Sequence, residues 1–141
     1  MEASSPIPQK LLDKGYRLIV STKDKWYLDH GFWGRTAYHD WKVMYNYKLY
    51  QHENVLGGEV AMWTEKVDHH SLDVKVWPRT AATAERLWSN PKLGANEAEG
   101  RFEHFRESLT KIGINADANS PYYCYENENE CHSDSGISYR K

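Results

Sequence analysis

The sequence predicts an α/β fold assembled from β/α units, and three observations carry that prediction. Apolar runs at 16–20 and 55–62 have the length and character of buried strands, whereas 80–89 and 98–112 repeat their apolar residues at helical spacing. Strand, connection, strand, loop and helix then follow one another in the order of a β/α repeat, not in blocks of one type. At the carboxyl end of such a strand, side chains two apart point the same way, toward the mouth where these folds keep their active sites.

Taken in order, residues 8–14 read as the end of a helix that stops at Gly15, since glycine enters the left-handed conformation that closes helices. The strand at 16–20 follows. Residues 21–53 form a connection far longer than the usual βα loop of about two to six residues. It is dense in Trp, Tyr, His and Asp, too aromatic for a disordered linker, and reads as a functional loop. In the strand at 55–62, Gly57 and Gly58 mark a bend or a close backbone approach. A polar loop leads to Pro78. The helix at 80–89 carries Ala81, Ala84 and Trp88 on one face and ends before Pro91. The helix at 98–112 sets Phe102, Phe105, Leu109 and Ile112 in one stripe, read as core packing, with Gly113 as its cap. Beyond Asn115 the periodicity is lost, and 133–141 reads as a mobile tail.

Composition excludes several classes. A net charge of −2 and a pI near 6.4 give no electrostatic reason to expect nucleic acid or an anionic membrane. No apolar run approaches the roughly 20 residues of a membrane span, and residues 1–6 lack the basic-then-apolar layout of a secretion signal. A fragment without its amino-terminal portion would lack that signal in any case. The two cysteines, Cys124 and Cys131, stand in the acidic, Asn-rich run YCYENENECH. A local disulfide is the preferred reading, with a pair of free thiols as the alternative, and no second Cys or His pair completes a zinc set beside His132. His30, His39, His69 and His70 invite a metal reading. Neighbours such as His69 and His70 are not expected to point the same way, and no metal is assigned.

The most informative stretch is 55–88, VLGGEVAMWTEKVDHHSLDVKVWPRTAATAERLW, which sets Trp63 and Glu65 two residues apart at the end of a strand. A flat apolar plate beside a carboxylate suits a sugar ring. The stretch resembles the last strand and helix of glycoside hydrolase family 20, the β-N-acetylhexosaminidases, whose pattern is GGE-x-x-MW-x-E and then WPR-x-x-A-x-AERLW. A second block, Trp26-Tyr27-Leu28-Asp29, resembles the family's WYLD or WYLN motif. The resemblance covers roughly residues 8–131, the carboxyl-terminal part of a full-length enzyme, and the tail PYYCYENENEC resembles insect-type members, including the branch that trims N-glycans. The fold implied is the last two β/α units of a TIM barrel plus a terminal helix. Residues 1–114 would be barrel and 115–141 an irregular tail with the Cys124–Cys131 disulfide. A barrel needs about 200 residues or more, so a chain of 141 cannot close one alone.

The chemistry implied by the resemblance is retaining, substrate-assisted hydrolysis of terminal N-acetylglucosamine or N-acetylgalactosamine, in which the sugar's own acetamido oxygen attacks the anomeric carbon while a glutamic acid protonates the leaving oxygen. That acid belongs to an Asp-Glu pair on an earlier strand, and no Asp-Glu dipeptide occurs here. By the same resemblance Tyr27 orients the acetamido carbonyl, Asp29 accepts from a hydroxyl near O6, Trp63 walls the acetamido methyl and Glu65 accepts from hydroxyls at the non-reducing end. Trp41 stands about where insect members stack the next sugar, and Trp26 and Trp33 read as loop packing. Arg79, Glu85 and Arg86 are expected in structural ion pairs. Where the WYL motif ends in Asn and a basic residue, members accept 6-sulfated sugars; an Asp there goes with neutral ones, and here the pair is Asp29-His30. The family implies no cofactor and no metal, a glycan or chitooligosaccharide substrate, a secreted or lysosomal lumen, and a homodimer of the full enzyme. From another class, a non-catalytic glycan-binding protein on the same fold would keep the aromatic loop and need no Asp-Glu pair, whereas two cysteines cannot support a small disulfide-rich module.

Overall fold

The computed structural model describes residues 2–120. Helix α1 (Ile7–Leu12) leads through Gly15, with φ of +80°, into strand β1 (Leu18–Val20). Helix α2 (Trp41–Asn46) lies inside the long connection, ahead of strand β2 (Val55–Gly58). Helices α3 (Leu72–Val76), α4 (Arg79–Ser89) and α5 (Ala95–Lys111) complete the order. The fold is mixed α/β with two strands and no barrel among the described residues. Cys124, Cys131 and the tail beyond Ser120 lie outside them.

The two strands pair in parallel, with Leu18 opposite Val55, Ile19 opposite Gly57 and Val20 opposite Gly58. One step on β1 therefore matches two on β2. Leu56 is the extra residue, and Gly57 absorbs the kink with φ of +151°, a conformation that other residues rarely adopt. Gly58 answers a different need: a Cβ there would collide with the Trp26 indole and lie 2.8 Å from the Val20 carbonyl oxygen. Both glycines thus let the loop after β1 fold down onto β2. Pairing resumes beyond them as a single parallel bridge between Tyr27 and Ala61, where the Leu28 amide donates to the Ala61 carbonyl at 2.8 Å and the Ala61 amide to the Trp26 carbonyl at 3.1 Å. One face of the sheet stays uncovered, with Tyr16, Ile19 and Leu56 exposed.

The core sits on the other side. Trp26, Leu28, Met44, Tyr45 and Phe102 are buried there, with Trp41 stacked on Phe102 at 4.3 Å between ring centroids. Helix α2 forms because the Asp40 carboxylate accepts from the Val43 amide at 2.8 Å, a side-chain cap that satisfies one of the free N–H groups of the first turn. At its other end Asn46 caps α5, accepting from the Ala95 amide at 2.9 Å. Helix α5 therefore starts three residues earlier than its apolar stripe indicates. Only part of that stripe is core: Phe102 and Leu109 are buried, while Phe105 and Ile112 are exposed. Short α3 occupies what reads in sequence as a polar loop, started by Asp68 accepting from the amide and hydroxyl of Ser71.

Helix α4 corrects one expectation. Its buried face is Arg79, Ala82, Thr83 and Arg86, and Ala81, Ala84 and Trp88 line an open groove against α5, with Trp88 91% exposed. Among the described residues neither Arg79 nor Arg86 has an ion-pair partner. Arg79 donates to the carbonyls of Leu28 at 3.0 Å, His39 at 3.1 Å and Lys75 at 3.1 Å, and Arg86 donates to those of Tyr45 at 2.9 Å and Pro91 at 2.6 Å. Burial pulls both guanidinium groups below their ordinary pKa, yet five donors in a fixed fork satisfy carbonyls that no backbone amide reaches. Glu85 does form the expected ion pair, with Arg101 at 2.7 Å, and also accepts from the Tyr45 hydroxyl at 2.8 Å.

Candidate functional site

Two segments carry the candidate residues, and the bridge between Tyr27 and Ala61 sets their register. Counting in twos from that pair brings Asp29 beside Trp63 and leaves Glu65 one step further along. The contact is direct: both carboxylate oxygens of Asp29 accept from the Trp63 amide, at 3.1 and 3.0 Å. Asp29 is 2% exposed, whereas the Trp63 side chain is open to solvent at 57% and Glu65 is exposed. Asp29 is thus a bracket that fixes the Trp63 backbone just beyond the bridge at Ala61. Trp63 presents a free indole from a fixed base.

Tyr27 sits within the field of both carboxylates. Burial first, then the charges of Asp29 and Glu65, push its phenol above the ordinary value, so the hydroxyl stays protonated and available as a donor. Its ring meets His30 edge to face, with centroids 5.1 Å apart and planes at 86°. Behind this segment Arg79 holds the Leu28 and His39 carbonyls, tying the loop that carries Tyr27 and Asp29 to α4. The WPR motif therefore anchors the WYLD motif. Nothing in composition or periodicity signals that link.

Tyr27, Asp29, Trp63 and Glu65 are brought together; Trp41 is not. It is 2% exposed, one face stacked on Phe102 and its Nε1 donating to the Asn119 carbonyl at 3.0 Å, so no ring face is left for a sugar. This corrects the expectation of a stacking platform at that position, and the reason is the α2 cap, which turns Trp41 inward onto α5. Trp26 is core, with Nε1 donating to the Met44 carbonyl at 3.1 Å, and Trp33 is exposed on the loop instead of packed. The rings of His69 and His70 do approach, to 3.7 Å between centroids, against the expectation that neighbours diverge. Among the described residues no three His, Cys, Asp or Glu side chains are grouped as a metal site would need.

Comparison with known proteins places this geometry in context. The pattern of the glycosyl hydrolase family 20 catalytic domain matches residues 3–91. The chain is 42% identical over 136 residues to the chitooligosaccharidolytic beta-N-acetylglucosaminidase of Ostrinia furnacalis, an alignment covering 87% of this chain and 23% of that protein. It is 41% identical over 143 residues to the probable beta-hexosaminidase fdl of Drosophila melanogaster, covering 86% and 22%. The beta-hexosaminidase subunit alpha of Bos taurus is 38% identical over 118 residues, covering 78% and 21%. The chain spans less than a quarter of the length of these relatives.

Proposed function

The chain belongs to glycosyl hydrolase family 20, a family of glycosidases, and from that premise we propose that it supplies one wall of the substrate pocket of a β-N-acetylhexosaminidase whose general acid lies in sequence outside these residues. In this reading the complete protein removes terminal N-acetylhexosamine from glycans or chitooligosaccharides in a secreted or lysosomal lumen, as a homodimer. The exposed face of Tyr16, Ile19 and Leu56 is then the surface against which the rest of a TIM barrel packs. The observation that carries the proposal is the Asp29 bracket, which joins the two family motifs at one place.

Each residue then has a part in the chemistry. The Tyr27 hydroxyl, kept protonated, donates to the acetamido carbonyl and holds its oxygen near the anomeric carbon, a near-attack arrangement. The Trp63 indole covers the acetamido methyl and excludes water from the attacking oxygen. Glu65 accepts from hydroxyls at the non-reducing end and reads sugar identity without transferring a proton. Asp29 holds the Trp63 backbone and turns negative potential toward O6.

The test is kinetic. In the complete protein, Trp63→Ala is expected to lower kcat as well as binding, because the indole positions the attacking carbonyl, whereas Glu65→Gln mainly raises KM. Equal and small effects from both would show that the pocket lies elsewhere. The 141-residue chain alone is expected to show no turnover of an aryl N-acetylglucosaminide, since without leaving-group protonation about a hundredfold or more in rate is lost. Turnover by that chain, rigorously purified, would remove the need for an external acid.

A further inference from the structure

Behind Tyr27 stand two histidines that the proposed chemistry does not use. His30 meets the Tyr27 ring edge to face at 5.1 Å, and its own ring lies 5.3 Å from that of His39 at a tilt of 51°. His39 is buried, its Nδ1 has no hydrogen-bond partner among the described residues, and its carbonyl is held by Arg79 at 3.1 Å. The three rings form a row from the core to the site. We infer that His30 is a positioning residue for Tyr27, fixing the direction of the phenol through ring contact and braced from behind by the buried ring of His39. This rests on the role proposed for Tyr27 above.

The row works in its neutral form. Burial is the first cause disfavouring a charge on either imidazole; Lys23 adds to it at His30, and His30, Lys25 and Arg79 add to it at His39. Asp24 and Asp29 favour the charge at His30, and Asp24 alone does so at His39. A proton on one ring disfavours a proton on the second and, at His39, faces the fixed Arg79 guanidinium. Acidification therefore loosens the brace, and the phenol loses its fixed direction. The pair would set an acid limb on turnover without touching the substrate.

The experiment compares wild type, His30→Ala, His30→Phe and Tyr27→Phe in the complete protein, reading kcat and KM for an aryl N-acetylglucosaminide across the histidine titration range, with a thermal unfolding midpoint for each. His30→Ala should lower kcat roughly tenfold to a hundredfold with a smaller change in KM, the scale of a displaced positioning group. His30→Phe keeps an aromatic contact that cannot titrate, so it should hold kcat at neutral pH and move the acid limb. Wild-type kcat in His30→Ala overturns the inference, as does a His30→Phe variant no better than His30→Ala. If His30→Ala fails to fold, His30→Phe alone decides through its acid limb, and an unmoved limb overturns the inference. Tyr27→Phe separates the two layers. Unchanged turnover there removes the role given to Tyr27 and this inference with it, whereas reduced turnover with His30→Ala intact removes the inference alone.

Discussion

Asp29→Asn is expected to change substrate choice more than it changes structure, and the geometry allows the two effects to be separated. The wild-type carboxylate accepts the Trp63 amide with both oxygens at 3.0 and 3.1 Å. An asparagine keeps one acceptor oxygen, so the bracket weakens from a charge-assisted to a neutral hydrogen bond, a difference of about 1 kcal/mol. The lost charge matters more for a 6-sulfated sugar. In the proposed pocket Asp29 lies near O6, and a carboxylate within about 4 Å of a sulfate opposes it by about 4 kcal/mol at an effective dielectric near 20. His30 does not offset this, because burial keeps its imidazole neutral. Weakening of the bracket affects both substrates alike and cancels in their ratio. The assay is kcat/KM for 6-sulfated over unsulfated aryl N-acetylglucosaminide at pH 7 in the complete protein. Asp29→Asn should raise that ratio by about tenfold or more, a fraction of the full Coulomb figure. An unchanged ratio would refute the placement of Asp29 near O6, whatever happened to the individual constants.

Arg79→Met should lower the unfolding midpoint of the complete protein by about 2–5 °C, because the Leu28 and His39 carbonyls lose their buried partner at about 1–3 kcal/mol each; an unchanged midpoint would show that they find other donors. The partly buried His30 and the buried His39 give stability a pH dependence. Their folded-state pKa values lie below the ordinary one, so the folded state binds fewer protons and stability, full above about pH 6.5, falls as pH drops through the folded values. His39→Phe should flatten that decline in a pH series of thermal midpoints, and an identical slope in the variant would assign the decline to other groups.

Much of this architecture was legible because strong local signals agreed with the final packing. The apolar runs gave both strands, and the Gly57-Gly58 pair marked the place where Trp26 and the β1 backbone approach β2. What escaped the sequence depended on long-range partners. Helix α2 is short and sits within aromatic residues that show no clean period, so it was missed in the long connection at 21–53. The buried face of α4 was misread because an arginine there looks like a surface charge until its carbonyl acceptors, 40 and 51 residues away, are known. At the site, the strand read at 55–62 ends at Gly58, and Trp63 and Glu65 lie beyond the isolated bridge at Ala61. The inward turn of Trp41 and the burial of Asp29 against the Trp63 amide follow from tertiary contacts that no motif encodes.

The central claim is that Tyr27, Asp29, Trp63 and Glu65 form one wall of a pocket for an N-acetylated sugar. It is tested most directly by the crystal structure of the complete protein bound to N-acetylglucosamine-thiazoline, a mimic of the cyclised acetamido intermediate. The account requires the Tyr27 hydroxyl within hydrogen-bond distance of the mimic's five-membered ring, the Trp63 indole against its methyl group and Glu65 at its ring hydroxyls. A sugar bound with Trp63 facing solvent, or seated elsewhere on the molecule, would contradict it.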